Sequence, residues 1–219
     1  MIAILLVFPF AALAAPDSPQ ELGPLVITKQ KNFLLGSYAS DSEKTSVFNY
    51  QSSLENLSCL PVDLQARRLA SGIQSDFSLR GSTYSQVLIL INGQRVNDPQ
   101  TAHHNSDLPF TKADLEQIEV IPGAGSSLFG ADAIGGAINF NLKSPGEKKT
   151  VWEFAAGNQR NGYGLFSLSD RAGALGWRLS VEDSRSRGFR DDTDYQKFTS
   201  SLAADWQFPG GDWKNNFGC

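Results

Sequence analysis

Three short apolar runs separated by glycine-bearing turns occupy residues 79–143, and they limit the possible folds more than any other feature. Residues 87–91 read Val-Leu-Ile-Leu-Ile, the pattern of a strand covered on both faces. Asn92-Gly93 follows at once. Both residues tolerate positive φ, so a tight hairpin is expected, with residues 94–97 returning. Residues 118–121 and 137–142 form two further short strands. Thr111-Lys112-Ala113-Asp114 has the spacing of a capping box, which predicts a short helix. Residues 123–136 are glycine-rich, with a helical turn expected over 126–133.

Upstream, Leu54, Leu57 and Leu60 recur at spacings of three and predict one face of a helix that Pro61 ends. Residues 2–15 are apolar, but a spanning helix needs about 18 or more. The run fits a signal peptide over 1–14, with Ala12-Leu13-Ala14 as a small-x-small cleavage site and no basic n-region. Leu25, Val26, Ile27 and Thr28 are β-prone and follow a Pro- and Gly-containing stretch. They read either as a first strand of the fold or as a free strand able to join another protein's sheet edge.

From Lys148 the pattern changes to period 2. Trp177, Leu179 and Val181 alternate with Arg178, Ser180 and Glu182. Phe198, Leu202, Trp206 and Phe208 share one face, with Thr199, Ser201 and Asp205 on the other. A half-buried soluble sheet gives this pattern. So does a transmembrane barrel, whose outward faces carry aromatic girdles. Tight connections at 170–173 and 209–211 alternate with polar ones at 157–162 and 185–195, as in an outer-membrane barrel. At about 9–11 residues per membrane strand, the chain after Pro145 holds roughly four. A plugged barrel needs about 22, and an open edge in lipid leaves backbone groups unpaired. The expectation is therefore a fragment.

Other chemistries fail on their residue requirements. The net charge of −4 disfavours a nucleic-acid partner. Cys59 and Cys219 form neither a disulfide framework nor a metal motif. Gly125 to Gly130 lacks the Lys-Ser/Thr of a phosphate loop, and Leu128 stands at the third glycine position of a dinucleotide fingerprint. Adjacent His103 and His104 would point to opposite sides of a strand, so no metal is expected. No G-x-S-x-G is present. Neither an enzyme nor a cofactor is expected.

Ser78-Leu79-Arg80-Gly81, Leu88 to Gly93, Ile118-Glu119-Val120-Ile121 with Gly123, and Ser126 to Asn139 together resemble the plug domain of TonB-dependent outer-membrane receptors. The stretch 97–105 looks like a subset that includes cobalamin-receptor-like members. The resemblance implies an α+β plug, a small mixed sheet with short helices, over 41–145. The first antiparallel strands of a truncated transmembrane β-barrel would follow over 146–219, after a TonB box and linker over 15–40. It assigns Leu25, Val26, Ile27 and Thr28 as the TonB box and Arg80 as the plug's anchor to the barrel wall. Asn97, Asp98, Gln100, His103, His104 and Asn105 become a substrate-facing loop. The family's Arg-Gly-Pro after Ile-Glu-Val is replaced here by Pro122-Gly123-Ala124, so a companion arginine is missing. The implied function is TonB-dependent active transport of a corrinoid or ferric siderophore across the outer membrane. The implied partners are TonB, outer-membrane lipid and a small-molecule or metal-chelate ligand, with no nucleic acid. The alternative is a secreted soluble β-rich binding or adhesion module whose alternating strands pack on one another.

Overall fold

Strand β4 (Val87–Ile91) lies inside a mixed sheet, and the apolar run that specifies it is covered on both sides. The structure is a computed structural model that describes residues 38–41, 54, 57, 60–66, 75–103, 105–123, 129–158, 160–188, 191–209 and 211–218. The expected signal peptide, Leu25, Val26, Ile27, Thr28 and His104 lie outside the described residues.

The first sheet has the order β1-β6-β7-β4-β5, with β1 (Tyr38–Asp41), β5 (Gln94–Arg95), β6 (Leu115–Pro122) and β7 (Gly136–Leu142). β4 and β7 run parallel and the other neighbours antiparallel. Val87 and Ile89 enter the larger core with Phe77, Leu79, Val120, Ile138 and Phe140. Leu88 and Leu90 enter a smaller one with Ile121, Ala133 and Ala137. Each such side chain contributes roughly 1.5–3 kcal/mol on full burial. A two-stranded ribbon, β2 (Asp63–Ala66) with β3 (Ser75–Ser78), supplies Phe77 to the larger core.

Asn92 and Gly93 adopt φ of 50° and 78°, the conformation of a primed hairpin turn. The return strand is shorter than residues 94–97, because a side chain takes over the pairing. Val96 still donates to the Ile89 carbonyl at 3.0 Å. Beyond it, Asn97 Oδ1 accepts from Ile89 N at 2.8 Å and its Nδ2 donates to Val87 O at 3.0 Å. Leu54, Leu57 and Leu60 are buried, and amides of Leu57 and Leu60 each bond the carbonyl three residues back. The glycine-rich segment forms a 3-10 turn at Ala131–Ala133, while 124–128 lie outside the described residues.

The second sheet is an antiparallel meander in the order β12-β11-β10-β9-β8. Its strands are β8 (Lys149–Ala156), β9 (Gly162–Ala172), β10 (Leu175–Ser186), β11 (Tyr195–Phe208) and β12 (Gly211–Gly218). It has five strands, not four. β12 escapes notice in the sequence because only Trp213 and Phe217 mark its apolar face. The sheet is inside-out relative to a soluble one. Trp152, Phe154 and Phe198 are 69%, 75% and 62% exposed, while Ser167, Arg178, Ser180 and Thr199 on the opposite face are buried. The soluble alternative required the apolar faces to meet. They do not, so that reading is set aside.

Phe140 is fully buried, with its ring centroid 5.5 Å from that of Phe110 and 6.5 Å from that of Phe77. Phe140→Ala is expected to cost roughly 3–5 kcal/mol, read as a lower urea midpoint with an unchanged slope.

Candidate functional site at the seam between the sheets

The polar face of the second sheet meets the first unit through the 3-10 turn Lys112–Asp114. This turn forms where the capping spacing predicts, and Asp114 folds back on Thr111. Its Oδ2 accepts from Thr111 N and Thr111 Oγ1, both at 2.8 Å. Lys112 turns toward the meander: its N–H donates to Glu182 on β10 and its Nζ to Glu153 on β8, both at 2.9 Å.

Strand register prepares the surface beneath. Ser180 on β10 pairs with Ser167 on β9 and Ser201 on β11, giving a row of three hydroxyls on the polar face. Ser167 and Ser180 oxygens lie 2.8 Å apart. Asp114 sits over this row. Its Oδ1 accepts from Ser180 Oγ at 2.9 Å and Arg178 Nε at 2.7 Å, and its Oδ2 also accepts from Ser201 Oγ. Burial acts to raise the carboxyl's pKa. Arg178, then the bonds from Ser201 and Thr111, outweigh it and hold the pKa below the usual carboxylate value.

The link between the two units is clamped by the same chemistry. Arg178 Nη1 donates to Lys143 O at 2.9 Å. Arg171 Nη2 donates to Pro145 O at 3.2 Å and to buried Asp205 at 3.0 Å. Gly146 lies under this guanidinium with φ +121°; a Cβ there would fall 2.4 Å from Arg171 Nη2. A second part of the seam is looser. Lys197 on β11 pairs with Asp107 at 3.2 Å, and the Asp107 side chain is 65% exposed. A cavity of about 330 Å³ beside this pair is lined by Asp107, Leu108 and Pro109 and by residues 196–199 of β11.

Arg80 is exposed at φ 53° and lies beside Gly123, with no ion pair to the meander among the described residues. The described charge contacts across the seam run through Asp114, Lys112 and Asp107 instead, and Asp114 places the carboxylate on the first unit and the arginine on the meander. The capping spacing revealed Asp114, and the period-2 pattern put Arg178, Ser180 and Ser201 on polar faces. Nothing local in the sequence joins them.

The expected substrate-facing loop is largely bonded to itself and to its base. Asn97 is committed to β4, and Asn105 Oδ1 accepts from Asp98 N at 2.7 Å. The Thr101 hydroxyl and backbone amides lower the Asp98 carboxyl to about 2. His103 Nδ1 lies 3.0 Å from Asp76 Oδ1, and its ring stacks on Tyr84 with centroids 3.9 Å apart. Tyr84 is an addition that the sequence did not suggest. Gln100 is exposed.

The family model described as TonB-dependent Receptor Plug Domain matches residues 39–137. Residues 39–137 are a plug domain of the TonB-dependent receptor family. The chain is 28% identical to the vitamin B12 transporter BtuB of Photobacterium profundum, over 95% of its own length and 36% of the relative's. A 76-residue stretch is 45% identical to an iron-regulated outer membrane virulence protein of Vibrio cholerae, covering 31% of this chain and 11% of that protein. Among solved structures, the siderophore receptor PirA from Pseudomonas aeruginosa superposes with a TM-score of 0.60 at 19% identity, covering 85% of this chain and 36% of that one. The chain thus spans about a third of the vitamin B12 transporter it matches. The first of these relatives is named a transporter and the last a receptor, and neither is named an enzyme.

Removing Asp114 from the plug leaves Arg178 buried without its counter-charge. Asp114→Asn is expected to cost roughly 3–5 kcal/mol, whereas the exposed Asp107→Asn costs about 0–1 kcal/mol. Denaturant unfolding of the detergent-solubilised protein measures both. The native Asp114 carboxyl titrates below its unfolded value of about 4, so its contribution is complete above that pH. It is lost as pH falls through the lower native pKa. Wild type should therefore lose more stability than Asp114→Asn between about pH 5 and about pH 2.

Proposed function

We propose that the chain is the N-terminal part of a TonB-dependent outer-membrane receptor in which the plug gates a transmembrane β-barrel, and that strands β8–β12 are the opening of that barrel's wall. One observation carries this reading: the meander turns its aromatic face outward and docks its polar face on the plug through Asp114. Lipid accepts the outward face at no desolvation cost, and a water-filled or plugged lumen accepts the inward one. Trp206 and Trp213 sit opposite each other at one end of the outward face, where an aromatic girdle would lie.

The cargo is a corrinoid or a ferric siderophore, the classes named by the relatives above. Asp98, Gln100 and His103 are the plug residues that would meet it, supported by Tyr84 beneath His103 and by the rigid Asp98–Thr101 turn. Asn97 and Asn105 hold the loop's shape, and His104 belongs to the same loop. Ligand binding would shift the population in which Leu25, Val26, Ile27 and Thr28 are free to pair with TonB, which supplies the work of rearranging the plug. Arg80 would serve as an additional anchor to other parts of the wall. The leader over 1–14 would direct export to the outer membrane.

The test uses the full-length gene. The receptor should appear in the outer membrane and dissolve only with detergent; a water-soluble product overturns the membrane reading. Cells are then offered cyanocobalamin and a ferric catecholate separately. Uptake of one is expected. Deleting residues 25–28 should abolish uptake and preserve ligand binding, and unchanged uptake would refute coupling through that segment.

A further inference from the structure

We propose that the two parts of the plug–wall seam have different duties: the Asp114 hub stays closed during transport, and the ligand's path opens at Asp107–Lys197. This inference rests on the transport reading above.

The contrast is one of burial and partners. At the hub, Asp114 and Arg178 are 2% and 5% exposed. Water cannot replace their mutual bond until the seam has already parted, so partial opening is the most unfavourable step. Five donors converge on Asp114 from both sides of the seam. Lys112 adds links to β8 and β10. The connector after β7 is held by Arg178 at Lys143 and by Arg171 at Pro145. The hub and the connector therefore act as one fixed root.

At Asp107–Lys197 the balance is reversed. Water already reaches the Asp107 carboxylate, so solvent compensates most of what is lost when the pair separates. The pair also borders a cavity of about 330 Å³ that gives the segment room to shift, although parting there uncovers the buried Leu108 and Thr199. That volume is at the lower limit for a small-molecule site, so passage of a chelate requires it to widen. The position in the chain supplies the coupling. Residues 107–109 directly follow the ligand-facing loop, and Ser106 ties the two to β3 by accepting from Ser75 N at 3.0 Å. A shift of the loop on ligand binding reaches the loose part of the seam within a few residues.

Two cysteine pairs test this in the full-length receptor with Cys59→Ser and Cys219→Ser. Lys112→Cys with Glu153→Cys staples the hub side; Asp107→Cys with Lys197→Cys staples the loose side. Both are closed with a short reducible bis-thiosulfonate, and uptake is compared before and after reduction in the same cells. The probe is whichever of cyanocobalamin or the ferric catecholate wild type takes up. The hub staple should change uptake by less than about twofold, and the loose-side staple should lower it by roughly tenfold or more, restored by reduction. Loss of uptake on stapling the hub, or retained uptake with the loose side stapled, overturns the proposal. If wild type takes up neither probe, the transport reading fails by itself, and amide exchange of the purified receptor decides the order of opening. The amides of Asp107 and Leu108 should exchange roughly tenfold faster than those of Thr111 and Asp114; the reverse order overturns the proposal.

Discussion

The contact on which the rest depends is a carboxylate laid across a row of serines. Asp114 closes a turn in the plug, accepts from two serines of adjacent meander strands and neutralises a buried arginine. A buried ion pair is weak support for stability in general, because desolvation offsets attraction. Here the offset is reduced by hydroxyl and amide donors that satisfy the remaining lone pairs. A polar seam of this kind has a property that an apolar one lacks. It fixes position through directional bonds, yet leaves no greasy surface when a neighbouring part of the seam parts.

That seam also explains why a sheet of this composition is stable facing inward with its polar side. In water, a meander exposing Trp152, Phe154, Phe198 and Trp206 would collapse on itself or aggregate. Its inward face carries Ser167, Arg178, Ser180, Thr199 and Asp205, which are buried beneath the first unit and which water would solvate in that unit's absence. The first unit thus covers the meander's polar face and leaves its aromatic face outward.

Several elements were legible from local pattern. The apolar run at β4, the Asn92-Gly93 turn, the three leucines at 54, 57 and 60, and the capping residues 111–114 each obey a rule that acts within a few positions. The misses have identifiable causes. β5 stops early because an asparagine side chain imitates backbone, which no periodicity registers. β12 carries too few apolar residues to announce its alternation. Asp114 was legible only as a cap, because its buried contact with Arg178 joins residues 64 positions apart.

The amino-acid order alone determined which residues alternate, where the chain turns and which side of each meander strand is polar, because those are consequences of backbone period and turn chemistry. It left open which side of the meander would be buried, since a soluble sheet and a membrane sheet share one pattern. Tertiary structure decided that, and it also decided that Asp114 meets Arg178 and two serines some 64 to 87 residues away in the chain. The reason is physical. Partners so distant are brought together by strand register and sheet docking, and both depend on the whole fold rather than on any local segment.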